Sequence, residues 1–199
     1  MLNLKDLSVA IQSVEILRGV NLNLPQDRMA GLIGRNGAGK TTLLRSIMGH
    51  LPYQSGSVTF DQVDLATTPA HRRNHLGVGY MPEDRRLVPE LSVEENVLLP
   101  LWATSKKNSA TKLKQVYAMI PEVEQFRDRK ALQLSGGQQK LVALARSLMS
   151  GTKLLLLDEP FEGVAPALAQ RLVEVIAGLK REGLTVLLSE SDLEHSAPV

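Results

Sequence analysis

The sequence predicts an α/β fold with a mostly parallel sheet, because two apolar runs flank a well-bounded helix. The runs cover residues 153–158 (KLLLLD) and 184–188 (LTVLL), and neither alternates between apolar and polar residues. Such unbroken runs are typical of strands that are covered on both faces, as in parallel sheets. Between them, Pro166 begins a predicted helix and Gly183 ends it. A strand, a helix and a second strand at this spacing indicate a βαβ unit.

The first part of the chain adds further strands and a helix. Residues 19–25 alternate between apolar and polar side chains, which predicts a half-buried strand. Residues 29–33 form a short apolar run that ends at a glycine, and this pattern predicts a buried strand entering a loop. We predict a helix over residues 41–49 and two more strands over residues 57–60 and 76–81.

A helical insert is predicted in the middle of the chain, because residues 92–149 contain no convincing strand pattern. Ser92 precedes Glu95 by three positions, which is the spacing of a capping box at the start of a helix. Further helices are predicted over residues 111–127 and 136–149. The expected architecture is therefore an α/β core interrupted by helices.

Composition and charge exclude several kinds of protein. The 199 residues suit one domain and include no Cys, which excludes disulfides, thiolate zinc sites and Cys nucleophiles. The 23 Lys and Arg residues against 21 Asp and Glu give a net charge of +2, and the basic residues fall in scattered pairs. We therefore expect no nucleic-acid partner. No stretch of about 18 apolar residues exists, so we expect no direct membrane insertion.

A phosphate-binding loop is predicted at residues 34–41 (GRNGAGKT), which fit the pattern G-x4-G-K-[ST] between a predicted strand and a predicted helix. Its glycines let successive backbone N–H groups point toward an anion, and the helix N-terminus adds a positive dipole end. Lys40 would reach the β- and γ-phosphates, and the Thr41 hydroxyl can ligate Mg²⁺. The alternative, a chance match, occurs in roughly one chain in a hundred of this length. The residues expected to bind the nucleotide here are Gly34, Asn36, Gly37, Ala38, Gly39, Lys40, Thr41 and Thr42.

A pair of acidic residues, Asp158 and Glu159, ends the predicted strand at 153–158. Parallel sheets bind their ligands beyond the carboxyl ends of the strands, so this pair is expected to face the phosphate loop. Successive strand side chains point in different directions. We therefore assign Asp158 to Mg²⁺ and Glu159 to positioning or deprotonating an attacking water. A solvated acidic strand end is the alternative, and the phosphate loop disfavours it.

A second helix start offers another anion site. Ser135, Gly136 and Gly137 precede an apolar helix, so a capping hydroxyl and free backbone N–H groups are expected there. Taken alone, these residues are better explained as an ordinary N-cap.

Three motifs together resemble the nucleotide-binding subunit of an ATP-binding cassette (ABC) transporter. They are GRNGAGKTT, LSGGQQK and LLLLDEP, they follow the family's order, and the match runs over essentially the whole chain. The resemblance implies a single P-loop ATPase domain at 1–199, with its α/β core at 1–83 and 151–199, antiparallel β elements near the amino terminus and a helical subdomain at 84–150. It also implies an enzyme that hydrolyses ATP with Mg²⁺, peripheral at the cytoplasmic face of the inner membrane beside transmembrane permease subunits.

The same resemblance implies a second ATPase subunit, in a homodimer or a heterodimer. Two cassettes of the family pair head to tail, so that each ATP lies between one subunit's phosphate loop and the other's LSGGQ motif. Ser135, Gly136 and Gly137 would then contact the γ-phosphate of an ATP held by the partner.

Two positions narrow the resemblance to importer ATPases. Glu83 stands in the Q-loop where most cassettes carry Gln, and it would contact the nucleotide and Mg²⁺. Ala165 stands where many cassettes carry Asp. Both resemble the ATPases of branched-chain amino-acid importers and their amide or urea relatives. The alternatives are a soluble ABC ATPase of repair or translation and a degenerate nucleotide-binding module with weak hydrolysis.

Three features depart from the family's pattern. Ile11 falls where an aromatic residue stacks on adenine, and it offers an apolar contact without a ring. Ser191 falls at the switch position, normally His or Gln, and would reach the γ-phosphate only through a water. His195 is expected to lie one turn along a following helix and not to replace it. The chain also ends at Val199, earlier than the family usually does, so we expect a truncated product whose sheet lacks late strands.

Overall fold

A computed structural model describes residues 1–102 and 109–191. Its helices and strands, in chain order, are β1 (Leu2–Ile11), β2 (Val14–Leu24), β3 (Met29–Ile33), α1 (Lys40–Ile47), β4 (Ser55–Phe60), β5 (Val63–Asp64), α2 (Ala70–Arg73), β6 (Val78–Met81), α3 (Val93–Trp102), α4 (Ser109–Met119), α5 (Pro121–Gln125), α6 (Gly136–Ser150), β7 (Leu154–Asp158), α7 (Pro166–Arg181) and β8 (Thr185–Glu190).

The strands form two sheets. The first has the order β3-β8-β7-β6, and all of its neighbouring strands run parallel. The second has the order β2-β1-β4-β5 and is antiparallel. The α/β fold with a parallel sheet and amino-terminal antiparallel elements is therefore confirmed. Because β3, β6, β7 and β8 run in the same direction, the segments that follow them all lie at the carboxyl end of the sheet.

Both faces of the central strands of the parallel sheet are covered. Side chains of β7 and β8 alternate between two hydrophobic clusters, one formed with α1 and the antiparallel sheet, the other with α6 and α7. The first cluster takes Leu154, Leu156 and Leu187, and the second takes Leu155, Leu157, Val186 and Leu188. The unbroken apolar runs are explained by this two-sided burial.

Strand β3 differs from its prediction as a buried strand. In the described part of the chain it pairs only with β8 and forms an edge of the sheet, and Ile33 is 50% exposed. A five-residue apolar run does not distinguish an edge strand from a central one. The predicted strand at 76–81 is also shorter, because a 3₁₀ turn ends at Gly77, whose φ of 92° is left-handed, and β6 begins at Val78.

The helical insert lies between β6 and β7, as predicted. Its first helix starts with the predicted capping box: the Glu95 carboxylate accepts from the Ser92 N–H at 2.7 Å, and the Ser92 hydroxyl accepts from the Glu95 N–H at 3.1 Å. The single helix predicted over 111–127 is wrong. The chain leaves the helix at Ile120 (φ −131°, ψ 73°) because a residue before proline, here Pro121, avoids helical backbone angles.

Among the described residues, no helix is both long and apolar enough to cross a membrane.

Candidate active site

The loop between β3 and α1 is built around glycines with left-handed backbone angles. Gly37 has a φ of 85° and Gly39 a φ of 93°, which other residues adopt only with strain. A Cβ at Gly39 would also come within 2.9 Å of a side-chain carbon of Leu17, whereas one at Gly37 would meet nothing within 4 Å. The loop is thus packed against β2 on one side and open on the other.

Lys40 is the first residue of α1, and its side chain is only 7% exposed. Its Nζ donates to the carbonyl oxygen of Gly34 at 2.5 Å and lies 3.1 Å from Oε1 of Glu159. A buried cation is stable only when it is paired and hydrogen-bonded, and this lysine satisfies both conditions at the open side of the glycine loop. The ammonium group is therefore held where an incoming anion would approach.

Asp158 ends β7 and is fully buried. Its Oδ1 accepts from the Thr41 hydroxyl at 3.0 Å and from the Ser189 hydroxyl at 2.6 Å, and its Oδ2 accepts from the Tyr80 hydroxyl at 3.3 Å. Burial and the nearby Asp158 carboxylate raise the pKa of Tyr80, so the phenol remains a donor. Three hydroxyls on three elements therefore orient this carboxylate.

Tyr80 and Ser189 were not predicted as site residues. Ser189 lies beside Asp158 in the parallel pairing of β7 with β8, and Tyr80 lies one residue before the end of β6 on the other side of β7. A polar residue near the end of each neighbouring strand was the available signal. The sequence alone does not give the strand order that makes these residues neighbours.

Glu159 follows β7 in a left-handed conformation, with a φ of 44°. Its N–H donates to the carbonyl oxygen and the hydroxyl of Ser189, both at 3.1 Å, and its carbonyl oxygen accepts from Nζ of Lys140 at 2.6 Å. Its Oε2 is buried without a hydrogen-bond partner in the described structure. Because an unsatisfied buried acceptor is costly, this oxygen is suited to receive a donor from a bound molecule.

A cavity of about 430 Å³ lies in front of these side chains. Its lining includes most of the residues predicted to bind phosphate, together with one of the two paired acidic residues and the Q-loop glutamate. These are Asn36, Gly37, Gly39, Lys40, Thr41, Thr42, Glu83 and Glu159. Ile16 and Glu162 complete the lining, and neither was predicted as a site residue.

Residues 17–162, which include the glycine loop, the second predicted anion site and both acidic residues, match the family model described as ABC transporter. The chain belongs to the ABC transporter ATPase family. As a member, it is an ATP-binding and ATP-hydrolysing subunit, and cassettes of this family form dimers and work with transmembrane permeases.

Individual relatives of the cassette act in transport of different solutes. It is 35% identical over 196 residues to BraG of Pseudomonas aeruginosa, a high-affinity branched-chain amino acid transport ATP-binding protein, covering 98% of this chain and 84% of BraG. It is 31% identical over 200 residues to the lipopolysaccharide export system ATP-binding protein LptB of Escherichia coli, covering 100% of this chain and 83% of LptB. The dimeric structure of MJ0796, a bacterial ABC transporter cassette, superposes with a TM-score of 0.88 at 25% identity, over 100% of this chain and 91% of that one.

Some predicted site residues of the cassette lie outside the cavity lining. Ile11 ends β1, is 37% exposed and pairs with Val14, whereas Ile16 from β2 lines the cavity. Ser191 follows β8, is exposed and does not line the cavity. His195 lies outside the described residues.

The remaining predicted residues belong to the glycine loop or to the start of α6. Gly34 contributes its carbonyl oxygen to Lys40, and the Ala38 N–H donates to the Arg35 carbonyl oxygen at 3.0 Å. Neither residue lines the cavity. The start of α6, with its predicted contacts Ser135, Gly136 and Gly137, does not line it either.

Further acidic groups of the cassette lie near Glu159. Glu190, at the end of β8, is 4% exposed, and its Oε1 accepts from the Phe161 N–H at 3.3 Å. Burial raises the pKa of Glu190 to about 7. Burial and the neighbouring Glu159 also raise the pKa of Glu162. Glu190 ends β8, whereas Glu159 and Glu162 lie in the loop after β7, so three carboxylates are gathered near Lys40 and Lys140.

Proposed function

We propose that this cassette binds ATP with Mg²⁺ in the cavity beside the glycine loop and hydrolyses it to drive transport. The observation that supports this most directly is that two pairs, Lys40 with Glu159 and Thr41 with Asp158, meet beside one cavity. They combine a phosphate-binding cation, a hydroxyl and two carboxylates, which are the groups that phosphoryl transfer uses in P-loop enzymes.

Phosphate binding rests on the glycine loop and Lys40. The open side of Gly37 leaves room for an anion to approach the backbone, and the start of α1 presents its free N–H groups at the same place. When the phosphates arrive, Lys40 exchanges its contact with Glu159 for phosphate oxygens. The exchange frees Oε1 of Glu159, beside the already unpartnered Oε2.

The donor set beside the cavity fits Mg²⁺. Thr41 and Asp158 would hold the ion, because hydroxyl and carboxylate oxygens are ligands that Mg²⁺ prefers. Oγ1 of Thr41 and Oδ1 of Asp158 lie 3.0 Å apart. Glu83 lines the same cavity and would contribute a carboxylate oxygen as a further ligand. When bound, Mg²⁺ neutralises negative charge on the phosphate oxygens.

Glu159 would position and deprotonate the attacking water. Its carboxylate is 7% exposed and lines the cavity, so a water held there is largely shielded from solvent. Ser191 is exposed after β8, and its short side chain would reach a phosphate only through an intervening water. We therefore expect hydrolysis to be slow compared with that of cassettes carrying His at this position.

A second cassette would complete each site. Ser135 and Gly136 are exposed at the start of α6, where the Ser135 hydroxyl accepts from the Gln138 N–H at 3.3 Å. The 15-residue helix presents its positive end to solvent there, away from this chain's own cavity. A nucleotide held by a head-to-tail partner, identical or different, would approach this end.

The transported solute is proposed to be a branched-chain amino acid or a related small polar molecule. The support is the likeness to BraG together with Glu83 and Ala165, which resemble importer ATPases. Lipopolysaccharide export is the second candidate, because LptB is nearly as similar. In either case the cassette would lie at the cytoplasmic face of the inner membrane, docked to permease subunits.

Transport is tested by co-purifying the cassette with the permease subunits that we expect its neighbouring genes to encode, and by reconstituting the complex in proteoliposomes. ATP-dependent uptake of labelled leucine or amides, absent with Glu159→Gln, supports import. ATP-dependent extraction of lipopolysaccharide without solute uptake would assign the export function instead. ATP hydrolysis by the same complex, measured in parallel, tests the enzymatic part separately.

A further inference from the structure

Lys140 is a buried lysine that the mechanism above does not use. It lies in the second turn of α6, is 3% exposed, and its Nζ donates to the carbonyl oxygen of Glu159 at 2.6 Å. Within the described residues it forms no ion pair within 4.0 Å. Lysine is almost never fully buried without a partner, so this position requires an explanation.

The partner of Lys140 is a strained residue. Glu159 adopts a φ of 44°, a left-handed conformation that is rare for residues other than glycine and persists only when the surroundings hold it. Its two peptide groups are held by two different elements: Ser189 of β8 accepts from its N–H, and Lys140 of α6 donates to its carbonyl oxygen.

Charged groups around Lys140 partly offset the cost of burying its amine. Burial lowers the pKa of Lys140, whereas the nearby carboxylates of Glu162 and Glu190 act in the opposite direction. These carboxylates favour the charged form of the amine, although neither forms an ion pair with it within 4.0 Å. The hydrogen bond that the described structure gives the amine is the one to the carbonyl oxygen of Glu159.

We propose that Lys140 is a positioning residue that holds the peptide of Glu159 in its left-handed conformation and thereby directs the carboxylate into the nucleotide cavity. This inference rests on the proposed role of Glu159 in activating water. Helix α6, which begins at the second predicted anion site, would thereby orient Glu159 of its own subunit.

Kinetics test the positioning role. Lys140→Met keeps the length and helix propensity of the side chain but removes the donor. We expect kcat for ATP hydrolysis to fall about tenfold to a hundredfold, since small misplacements of a reacting group have effects of that size. KM and the calorimetric Kd for MgATP should stay within about twofold, because Lys140 does not line the cavity. Lys140→Arg, which restores a donor, should recover much of kcat, and Lys114→Met, an exposed lysine on α4, should change nothing.

A thermal-stability cycle tests the same inference without activity. Glycine adopts positive φ without strain, so Lys140→Met should lower Tm less in a Glu159→Gly background than in the wild type, by about 2 °C or more. In a Glu159→Gln background, which keeps the side chain but removes its charge, the effect should equal that in the wild type. Equal Tm changes in all three backgrounds, or a Lys140→Met enzyme with wild-type kcat, would overturn the inference. An inactive wild type would instead count against the proposed function, and the stability cycle alone would then decide the role of Lys140.

Discussion

The side-chain nitrogen of Lys40 lies 3.1 Å from Oε1 of Glu159, and both side chains are 7% exposed. The proposed phosphate-binding cation and the proposed base are thus paired with each other. A buried pair of this kind has a large desolvation cost, and breaking it is favourable only if new partners replace both contacts. In the proposed mechanism, ATP would supply phosphate oxygens to Lys40, and an attacking water would supply a donor to Glu159.

The first prediction concerns this lysine. Lys40→Ala removes a charge-assisted hydrogen bond to the phosphates, an interaction of about 1.5–3 kcal/mol. MgATP affinity measured by calorimetry should fall about tenfold or more. Lys153→Ala serves as the control, because Lys153 pairs with Asp61 and neither residue lines the cavity. An unchanged Kd for Lys40→Ala would refute the assigned role.

The apolar contact expected with adenine provides a second prediction. Ile16 lines the cavity and Ile11 does not, so Ile16→Ala should weaken ATP binding by about 1 kcal/mol, or roughly fivefold, through lost apolar contact. Ile11→Ala is the matched comparison and should leave Kd nearly unchanged. Since neither side chain stacks as an aromatic ring does, ATP and GTP should bind with similar affinity. A larger loss with Ile11→Ala would show that Ile11 covers the base.

Only part of this site could be predicted from the sequence, and the two isoleucines belong to the part that could not. Lys40, Thr41 and Asp158 could be predicted because the first two belong to one short motif and the third ends a clearly apolar strand. The choice between Ile11 and Ile16 depends on the path of a β-hairpin, and no local pattern specifies it.

The same limit applies to contacts between distant elements. The contact of Lys140 with the Glu159 carbonyl requires α6 to cross the end of β7, which residue spacing does not reveal. Predicting the contact of Tyr80 with Asp158 would require knowledge of the strand order. The helix end at Ile120 was different, because Pro121 was visible in the sequence and its effect on the preceding residue was available as a signal.

A third prediction concerns stability and pH. The pKa of Glu190 is raised to about 7 in the folded state, above the value of 4.5 expected for an unperturbed Glu, so the folded protein holds this proton more tightly than the unfolded chain. The stabilisation is complete below about pH 4.5 and is lost as the pH rises through about 7. Glu190→Gln should therefore reduce the fall in Tm between about pH 5.5 and 8 by several degrees. A Tm that falls by the same amount in the wild type and in Glu190→Gln over this pH interval would contradict the assignment.

The switch position yields a fourth prediction. Ser191→His places a longer, chargeable side chain after β8, and its contact with the phosphate matters most as charge develops in the transition state. Turnover at saturating MgATP should rise more than affinity changes. His195→Ala provides the comparison and should be neutral. A rapid wild type that loses activity on His195→Ala, with Ser191→His neutral, would make His195 the switch.

The most direct measurement is phosphate release by the wild type and by Glu159→Gln at saturating MgATP and matched protein concentration. Glutamine keeps the shape of the side chain but cannot accept the proton of water, so hydrolysis should fall by roughly 10²–10⁴. The Kd for MgATP should be retained, and an ATP-bound dimer should accumulate, detectable by light scattering. A Glu159→Gln protein that binds MgATP and releases phosphate at the wild-type rate would contradict the central claim that Glu159, held beside Lys40 at this cavity, activates the attacking water.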